Sequence, residues 1–516
     1  MRIKSKSVNM PDFDGRARPR TRKWLKAVCI ALALSPLTPV PQGLAFAQNR
    51  NAASKKAESK SADVEGSVPA VSTPIPAENR RLAPSNLANE VDAPAPRRLI
   101  KDRFSAGVLP MARGVLLAVQ QHPSITDAVA TLAQQTAGVD YAKAGYYPQI
   151  RVGMGTGTSN GTSGSSSLLA TASASQMLYD FGKVDSQVGR SQALVRRQQA
   201  VVLKQVDVIS RSAAEAVLMV HRYQALTNLA DAQVEAVARV LELAELRANA
   251  GLSTKADPIQ ATARVQGARA YQGQMSTELA QWRQKLRTFV GEAGVRPVEV
   301  LPGLESDTLW MSGTPDFALL PDVLIVQAER QAAKAQLATT QASKWPTITL
   351  DATGNKALSG INPNNYERHG LYHSLNLNVS VPLYQGGAAD AQISAAAAEE
   401  AATRERIETA LLQANDQSRA WKELAVGAQA RLADVEHRRQ SILSVRDLYR
   451  EQYQLGTRSI LDLLNAEQEI HQAEAEAQGL VHDLWQYRLE YVSATGRLRE
   501  FFGLNHKVIQ GMELLP

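Results

Sequence analysis

Leu178-Tyr179-Asp180-Phe181-Gly182 recurs 205 residues later as Leu383-Tyr384-Gln385-Gly386-Gly387. Each copy marks the same event: an alternating segment ends, glycine permits a sharp reversal, and a long proline-free segment begins. At the same offset Gly251 with Asp257 recurs as Gly456 with Asp462, and Gly291 recurs as Gly496. Upstream, His122-Pro123-Ser124-Ile125 matches Leu320-Pro321-Asp322-Val323, and Tyr147-Pro148 matches Trp345-Pro346, at an offset of 198. The difference lies between the paired strands, where loop length varies cheaply. One duplicated unit, of strand, loop, strand, very long helix, turn and helix, therefore spans most of the chain.

The segments before each reversal alternate. Ile150, Val152 and Met154 alternate with Gln149, Arg151 and Gly153, and Ala170, Ala172 and Ala174 with Thr171, Ser173 and Ser175. In the second copy Ile348, Leu350 and Ala352 alternate with Thr347, Thr349 and Asp351, and Leu375, Leu377, Val379 and Val381 with Asn376, Asn378 and Ser380. These are two-faced strands. A soluble sheet with one wet face fits the alternation. Runs of about 10 residues also match an outer-membrane hydrocarbon layer. The Thr/Ser/Asn/Gly segment from Thr158 to Ser167 and the polar segment from Gly360 to His373 read as exposed loops. Four strands cannot close a membrane barrel, because an open edge in lipid leaves backbone groups unsatisfied; several chains would have to pool theirs.

From Val184 to Ala250 there is no proline, and small or apolar residues advance in steps of four and three from Val202 through Val206, Ile209, Ala213, Ala216, Val220 and Tyr223 to Ala248. That is a coiled-coil seam on a helix of roughly 100 Å. The second copy repeats it through Ile407, Leu411, Ala414, Trp421, Ala425, Ala428, Leu432, Val435, Ile442, Tyr449 and Tyr453, interrupted by Arg439 and Arg446. Each helix ends at Gly251 or Gly456, suited to a left-handed C-cap, before Ser and Thr suited to the next N-cap. A soluble coiled-coil dimer would leave the strands unexplained.

The N-terminus carries Arg16, Arg18, Arg20, Arg22, Lys23 and Lys26, then an apolar stretch from Ala27, then Ala45-Phe46-Ala47. This order predicts a signal peptide over 1–47. The first 26 residues hold nine Lys or Arg and two Asp, a net +7 equal to that of the whole chain. The basic balance thus belongs to the signal, and nucleic acid is excluded as a partner. The one cysteine, Cys29, sits within the apolar stretch, so the mature chain is predicted to lack disulfides, thiolate metal sites and a lipid-attachment cysteine. Residues 48–105, rich in Ala, Pro, Ser and charge, read as a disordered periplasmic leader.

The strand, loop, strand and long helix hairpin given twice, with Tyr453-Gln454-Leu455-Gly456-Thr457-Arg458-Ser459-Ile460-Leu461-Asp462-Leu463-Leu464-Asn465-Ala466 at the second turn, resembles the TolC family of outer-membrane exit ducts over roughly Ala106 to Phe502. The resemblance implies an α+β membrane protein: a homotrimer in which each chain gives four strands to one twelve-stranded β-barrel, continued by a long periplasmic α-helical coiled-coil barrel. It divides the chain into a first outer-membrane efflux repeat (106–291), a mixed equatorial connector (292–316), a second repeat (317–496) and a C-terminal equatorial segment (497–516). It further implies a periplasmic gate in which Asp257 faces Tyr453, Arg458 reaches the region of Ala256, and Asp462 points into the lumen. The helix turns at Gly251 and Gly456 would meet the adaptor. The family often carries a second lumen aspartate where this chain has Asn465, which weakens any cation block.

For each gate residue a plainer role exists: Tyr453 continues the seam, and Asp257 and Asp462 sit near helix N-termini, where carboxylates are favoured anyway. Gly145, Gly153, Gly155 and Gly157 lack the following helix a dinucleotide loop needs. His369 and His373 are placed in an exposed loop without an accompanying carboxylate pair, and no nucleophile constellation or Walker motif is present. No enzyme activity, metal or cofactor is expected. The expected function is a channel-tunnel in the outer membrane, extending into the periplasm. It would pass cargo from an inner-membrane ABC or proton-driven transporter and a periplasmic adaptor to the exterior, in type I protein secretion. The alternatives are a multidrug or small-molecule efflux duct and, from another class, a trimeric coiled-coil surface protein without a pore. Expected partners are two further copies, the adaptor, the transporter and outer-membrane lipid.

Overall fold

The computed structural model describes residues 81–82, 107–158, 166–292, 296–300, 304 and 315–514. The signal segment with Cys29, the rest of the leader, residues 159–165 and much of 292–316 lie outside the described residues.

Two strands in each repeat precede its long helix. In the first, β3 (Gln149–Thr158) and β4 (Ser166–Tyr179) lead into α3 (Lys183–Asn249) and α4 (Ala256–Val290). In the second, β6 (Thr347–Ser359) and β7 (Leu371–Ser380) lead into α6 (Ala388–Gln454) and α7 (Ile460–Ala494). Both long helices have 67 residues and both return helices 35. At about 1.5 Å per residue the long ones run roughly 100 Å. Short helices α1 (Met111–Gln121) and α2 (Pro123–Lys143) precede the first repeat, and α5 (Pro321–Ala342) precedes the second.

The reversal into α3 is built as the sequence suggests. Asp180 accepts from Gly182 N at 3.0 Å and Val184 N at 2.7 Å, capping the helix entry. Phe181 adopts φ 57, where the second copy places Gly386 at φ 61. A bulky residue there is strained. Phe181 stacks on Trp345 at 5.6 Å and meets Tyr179 edge-on at 4.7 Å, contacts that hold it in place.

The four strands form one antiparallel sheet in the order β3-β4-β6-β7, so the two repeats join at β4 and β6. Ile150, Val152, Met154, Leu375, Leu377 and Val379 are exposed on one face. Among the described residues neither β3 nor β7 has a second partner strand. His373 differs from expectation: it lies on β7, opposite Gly354, because β7 begins at Leu371 and only 360–370 form the loop. A polar start to a strand carries no alternation by which sequence could distinguish it from a loop.

No residue of the α3 seam between Val202 and Ala248 is fully exposed, and 23 residues of α3 are buried. Only eight of α6 are buried, and Leu412, Leu424, Val426 and Leu448 lie open on its other face. The helix faces thus differ: α3 is enclosed by α2, α4, α5 and α7, whereas α6 packs on α5 and α7 alone among the long neighbours. Arg439 and Arg446, which break the α6 seam, are half-buried in an ion-pair ladder with α7. Arg439 meets Glu436 of its own helix at 2.6 Å and Glu474 of α7 at 3.8 Å, while Arg446 and Arg450 approach Glu467 of α7, only 1% exposed, at 3.8 and 3.0 Å. Among the described residues no helix is long and apolar enough to cross a membrane.

Around the helices sits a small mixed element. β2 (Leu109–Pro110) pairs with β5 (Val298–Glu299), while α8 (Leu498–Phe501), β8 (Val508–Ile509) and β9 (Met512–Leu514) bury Phe501, Phe502, Ile509 and Met512 against α1–α3. Strand β1 (Arg81–Leu82) pairs in parallel with β9. It is the one described stretch within 48–105. Backbone pairing to an open strand edge needs no distinctive side chains, so composition could not show it.

Candidate functional site

The turns at the far ends of the two helix hairpins are built alike. Gly251 (φ 73) and Gly456 (φ 79) occupy the left-handed position, with Leu252 N on Arg247 O at 2.8 Å and Thr457 N on Gln452 O at 3.0 Å. These are Schellman closures, which only glycine enters without strain. In one copy Asp257, in the first turn of the following helix, accepts from Thr254 Oγ1 at 2.8 Å, and in the other the N-cap Ser459 accepts from Asp462 N at 3.3 Å.

An apolar core binds the two hairpins together: Val237, Val240 and Ala244 of α3, Ala261 and Val265 of α4, Tyr453 of α6, and Ile460, Leu463 and Leu464 of α7. Tyr453 is 2% exposed. Burial, aided by the nearby Asp257 carboxylate, holds its phenol above the ordinary value, while Arg247 and Ser253 act the other way. Its hydroxyl nevertheless has no hydrogen-bond partner among the described residues. Tyr453→Phe should therefore change the thermal midpoint by no more than about 2 °C, because a buried unpaired hydroxyl contributes little. Tyr453→Ala, which empties the core, should cost about 3–5 kcal/mol. A loss above about 2 kcal/mol in the Phe variant would show that the hydroxyl is bonded after all.

Arg458 engages its own hairpin. Within the chain it lies 3.4 Å from Asp462, four residues on in its own hairpin, and its guanidinium covers the Tyr449 ring at 4.2 Å. A local i,i+4 pair needs no reorganisation. Asp462 also accepts from Ser459 Oγ at 3.0 Å.

The arginine that crosses between hairpins is Arg247, in the last turn of α3. It donates to Gln454 O at 2.7 Å and to Leu252 O at 3.3 Å, and its guanidinium lies 5.0 Å from the Tyr453 ring centre. It therefore joins the carbonyl-rich ends of two helices, where a cation is favoured. A Cβ at Gly456 would come within 3.3 Å of its Nη2. A second crossing is made by Arg264 of α4, which donates to Gln468 and, at 3.0 Å, to Asn465 Oδ1 on α7. Sequence reading passed over both arginines. Arg247 was legible only as a helix-terminal cation, and Asn465 only as a departure from a lumen acid. A cavity of about 320 Å³, lined by residues including Arg239, Glu242, Leu246, Arg450 and Gln454, lies beside this junction.

A profile of the outer membrane efflux protein family matches residues 115–292 and 318–497. The chain belongs to that family. It is a TolC-like channel, not an enzyme, with a β domain in the outer membrane and a helical barrel extending into the periplasm. Members of this outer membrane efflux family are trimeric channels working with periplasmic adaptors and inner-membrane transporters in tripartite systems. The chain is 24% identical over 378 residues to outer membrane efflux protein BepC of Brucella suis, covering 70% of this chain and 80% of BepC. It is 25% identical over 309 residues to protein CyaE of Bordetella pertussis, covering 56% of this chain and 64% of CyaE. The fold matches the outer membrane protein VceC of Vibrio cholerae with TM-score 0.65, at 19% identity over 75% of this chain and 96% of VceC. It matches the CmeC channel of Campylobacter jejuni with TM-score 0.62, at 12% identity over 80% of this chain and 94% of CmeC.

Proposed function

We propose that this chain, as a homotrimer, is the outer-membrane exit duct of a type I protein secretion system. The unpaired outer edges of β3 and β7 support the trimer, since open edges in lipid leave backbone groups unsatisfied, and so does the open apolar face of α6. The signal, leader, repeats and equatorial segments keep the boundaries given above.

The observation that carries the cargo assignment is the inner face of the sheet. Opposite the exposed apolar face stand Ser173, Ser175, Thr353, Asn355, Ser374 and Asn376, with Arg151 and Asp351 the only charges on the four described strands' inward positions. Asp351 is held by hydroxyls, Ser175 at 2.5 Å and Thr349 at 3.0 Å. A lining of small uncharged polar groups favours no sign of charge, which suits an unfolded polypeptide of mixed composition.

At the other end Asp257, Tyr453, Arg458 and Asp462, with Arg247, hold the closed gate. The turns at Gly251 and Gly456, with Leu252 and Leu455 exposed beside them, receive the adaptor, and an inner-membrane ABC or proton-driven transporter supplies the energy. Three copies of Asp462 form the lumen ring, each partly neutralised by its own Arg458. Asp462→Ala should then weaken divalent-cation block of single channels and Arg458→Ala should strengthen it; block indifferent to both would place the ring elsewhere.

The likeness to an efflux protein, BepC, supports a second reading as a small-molecule duct. Comparing secreted proteins and tolerance to dyes and detergents in cells with and without the chain separates the two. Loss of one large secreted protein with normal tolerance supports protein secretion. An unchanged secretome with lost tolerance overturns it in favour of efflux.

A further inference from the structure

The outward face of the β domain is apolar along most of its height. In successive rows across the sheet stand Ile150, Ala174, Ala352 and Leu375, then Val152, Ala172, Gly354 and His373, then Met154, Ala170, Lys356 and Leu371. Two basic side chains thus interrupt the face, in adjacent rows on adjacent strands. Both are exposed, and both lie near the β6–β7 hairpin, at the end of the sheet opposite the helices.

Their placement is informative because a lipid-facing lysine is strongly disfavoured at mid-membrane and tolerated at the boundary. A lysine stem can lie along an apolar face and carry its ammonium to that boundary. His373 is the diagonal neighbour of Lys356, at the roughly 7–8 Å residue spacing that still lets long side chains converge, close enough for both to donate to one phosphate. Between them the floor is open: a Cβ added at Gly354 would meet nothing nearer than Ala172 O at 4.0 Å. Ala170 and Ala172 extend that floor. Above it, Arg368 is exposed where the hairpin narrows at the Ile361–Arg368 bridge. The hairpin's acid, Glu367, is engaged by Asn365 Nδ2 at 3.1 Å.

We infer that Lys356 and His373 form a binding site for the phosphate of an outer-leaflet lipid headgroup, with Arg368 adding to its positive potential. The inference rests on the outer-membrane placement of the sheet and adds the headgroup chemistry and the residues that read it. The lipid's acyl chains lie along the apolar rows below, and its phosphate fixes the height of the barrel in the membrane.

The test uses the full chain in detergent, with bound lipid read by native mass spectrometry. Three probes are compared: diphosphorylated lipid A, the same lipid with both phosphates removed, and inorganic phosphate as competitor. The wild-type protein should retain the phosphorylated lipid roughly tenfold more tightly than the dephosphorylated one. K356A/H373A should lose that preference while still retaining the dephosphorylated lipid as the wild type does, which shows the sheet is intact, and K356R should keep it. No preference in the wild type, or a preference surviving in K356A/H373A, overturns the proposal. Displacement of the lipid by equimolar inorganic phosphate overturns it in favour of a free-anion site. Retention of neither lipid would count against the membrane placement of the sheet as well, whereas retention without preference sinks the phosphate site alone.

Discussion

Replacing Arg247 and Arg264 together with alanine raises the single-channel conductance of the chain in a planar bilayer. These two side chains carry the polar connections from the first hairpin to the second at the gate: Arg247 to Gln454 O at 2.7 Å, and Arg264 to Asn465 Oδ1 at 3.0 Å with Gln468 beside it. A hydrogen bond from a cation contributes about 1.5–3 kcal/mol when buried, and about 1–2 kcal/mol is reasonable for half-exposed groups such as these. Losing both should shift the closed-to-open ratio by roughly 30-fold or more. The apolar core around Tyr453, Leu463 and Leu464 remains, so the variant should still fold and assemble. Unchanged conductance in an intact trimer would remove both arginines from the gate. Asp257→Ala with Arg458→Ala should also raise conductance, but less, since within the chain Arg458 binds its own hairpin at Asp462 and Tyr449.

The largest stability loss is expected at the equatorial core. Arg499 and Asp207 form a buried ion pair, 5% and 15% exposed, among Val206, Ile209, Phe501 and Phe502. Asp207 Oδ1 has no partner among the described residues. Burial pushes its carboxyl from 3.8 up to about 6; Arg499 opposes this and Asp322 adds to it. Arg499→Met leaves an uncompensated carboxylate and should cost about 3–5 kcal/mol at pH 7.5. The folded-state pKa lies above the unfolded one, so the folded chain binds the extra proton and stability rises as pH falls through about 6 toward 4. In the variant the carboxyl is displaced further upward, so a substantial part of the loss should return at pH 5. Arg499→Met with Asp207→Leu should approach wild-type stability, because removing both charges removes the desolvation cost. Denaturation midpoints in detergent at the two pH values measure this; a loss independent of pH would mean that Arg499 acts through packing rather than charge.

Much of the architecture was readable before any coordinates. The duplication, the seam from Val202 to Ala248 and the glycines at 251 and 456 placed four strands, four long helices and two turns. Those features come from period and backbone requirement, which are local: a strand alternates every two residues, a seam advances by four and three, and a left-handed cap needs glycine. What stayed illegible depended on partners far apart in the chain. Arg247 looked like any helix-terminal cation, and only the approach of Gln454, 207 residues away, made it a bridge. His373 read as part of a loop because polar strand ends carry no period, and the short β1 strand could not be inferred from composition because backbone pairing is indifferent to side chain.

By itself the sequence determined the repeating order of elements, their lengths and the faces they bury, since these follow from spacings within a few turns or a few residues of strand. The tertiary structure alone decided which polar groups meet: Arg247 with Gln454, Arg264 with Asn465 and Arg499 with Asp207. An ion pair or a bridging hydrogen bond depends on distances of a few ångströms between segments that the chain brings together only after its apolar seams have packed.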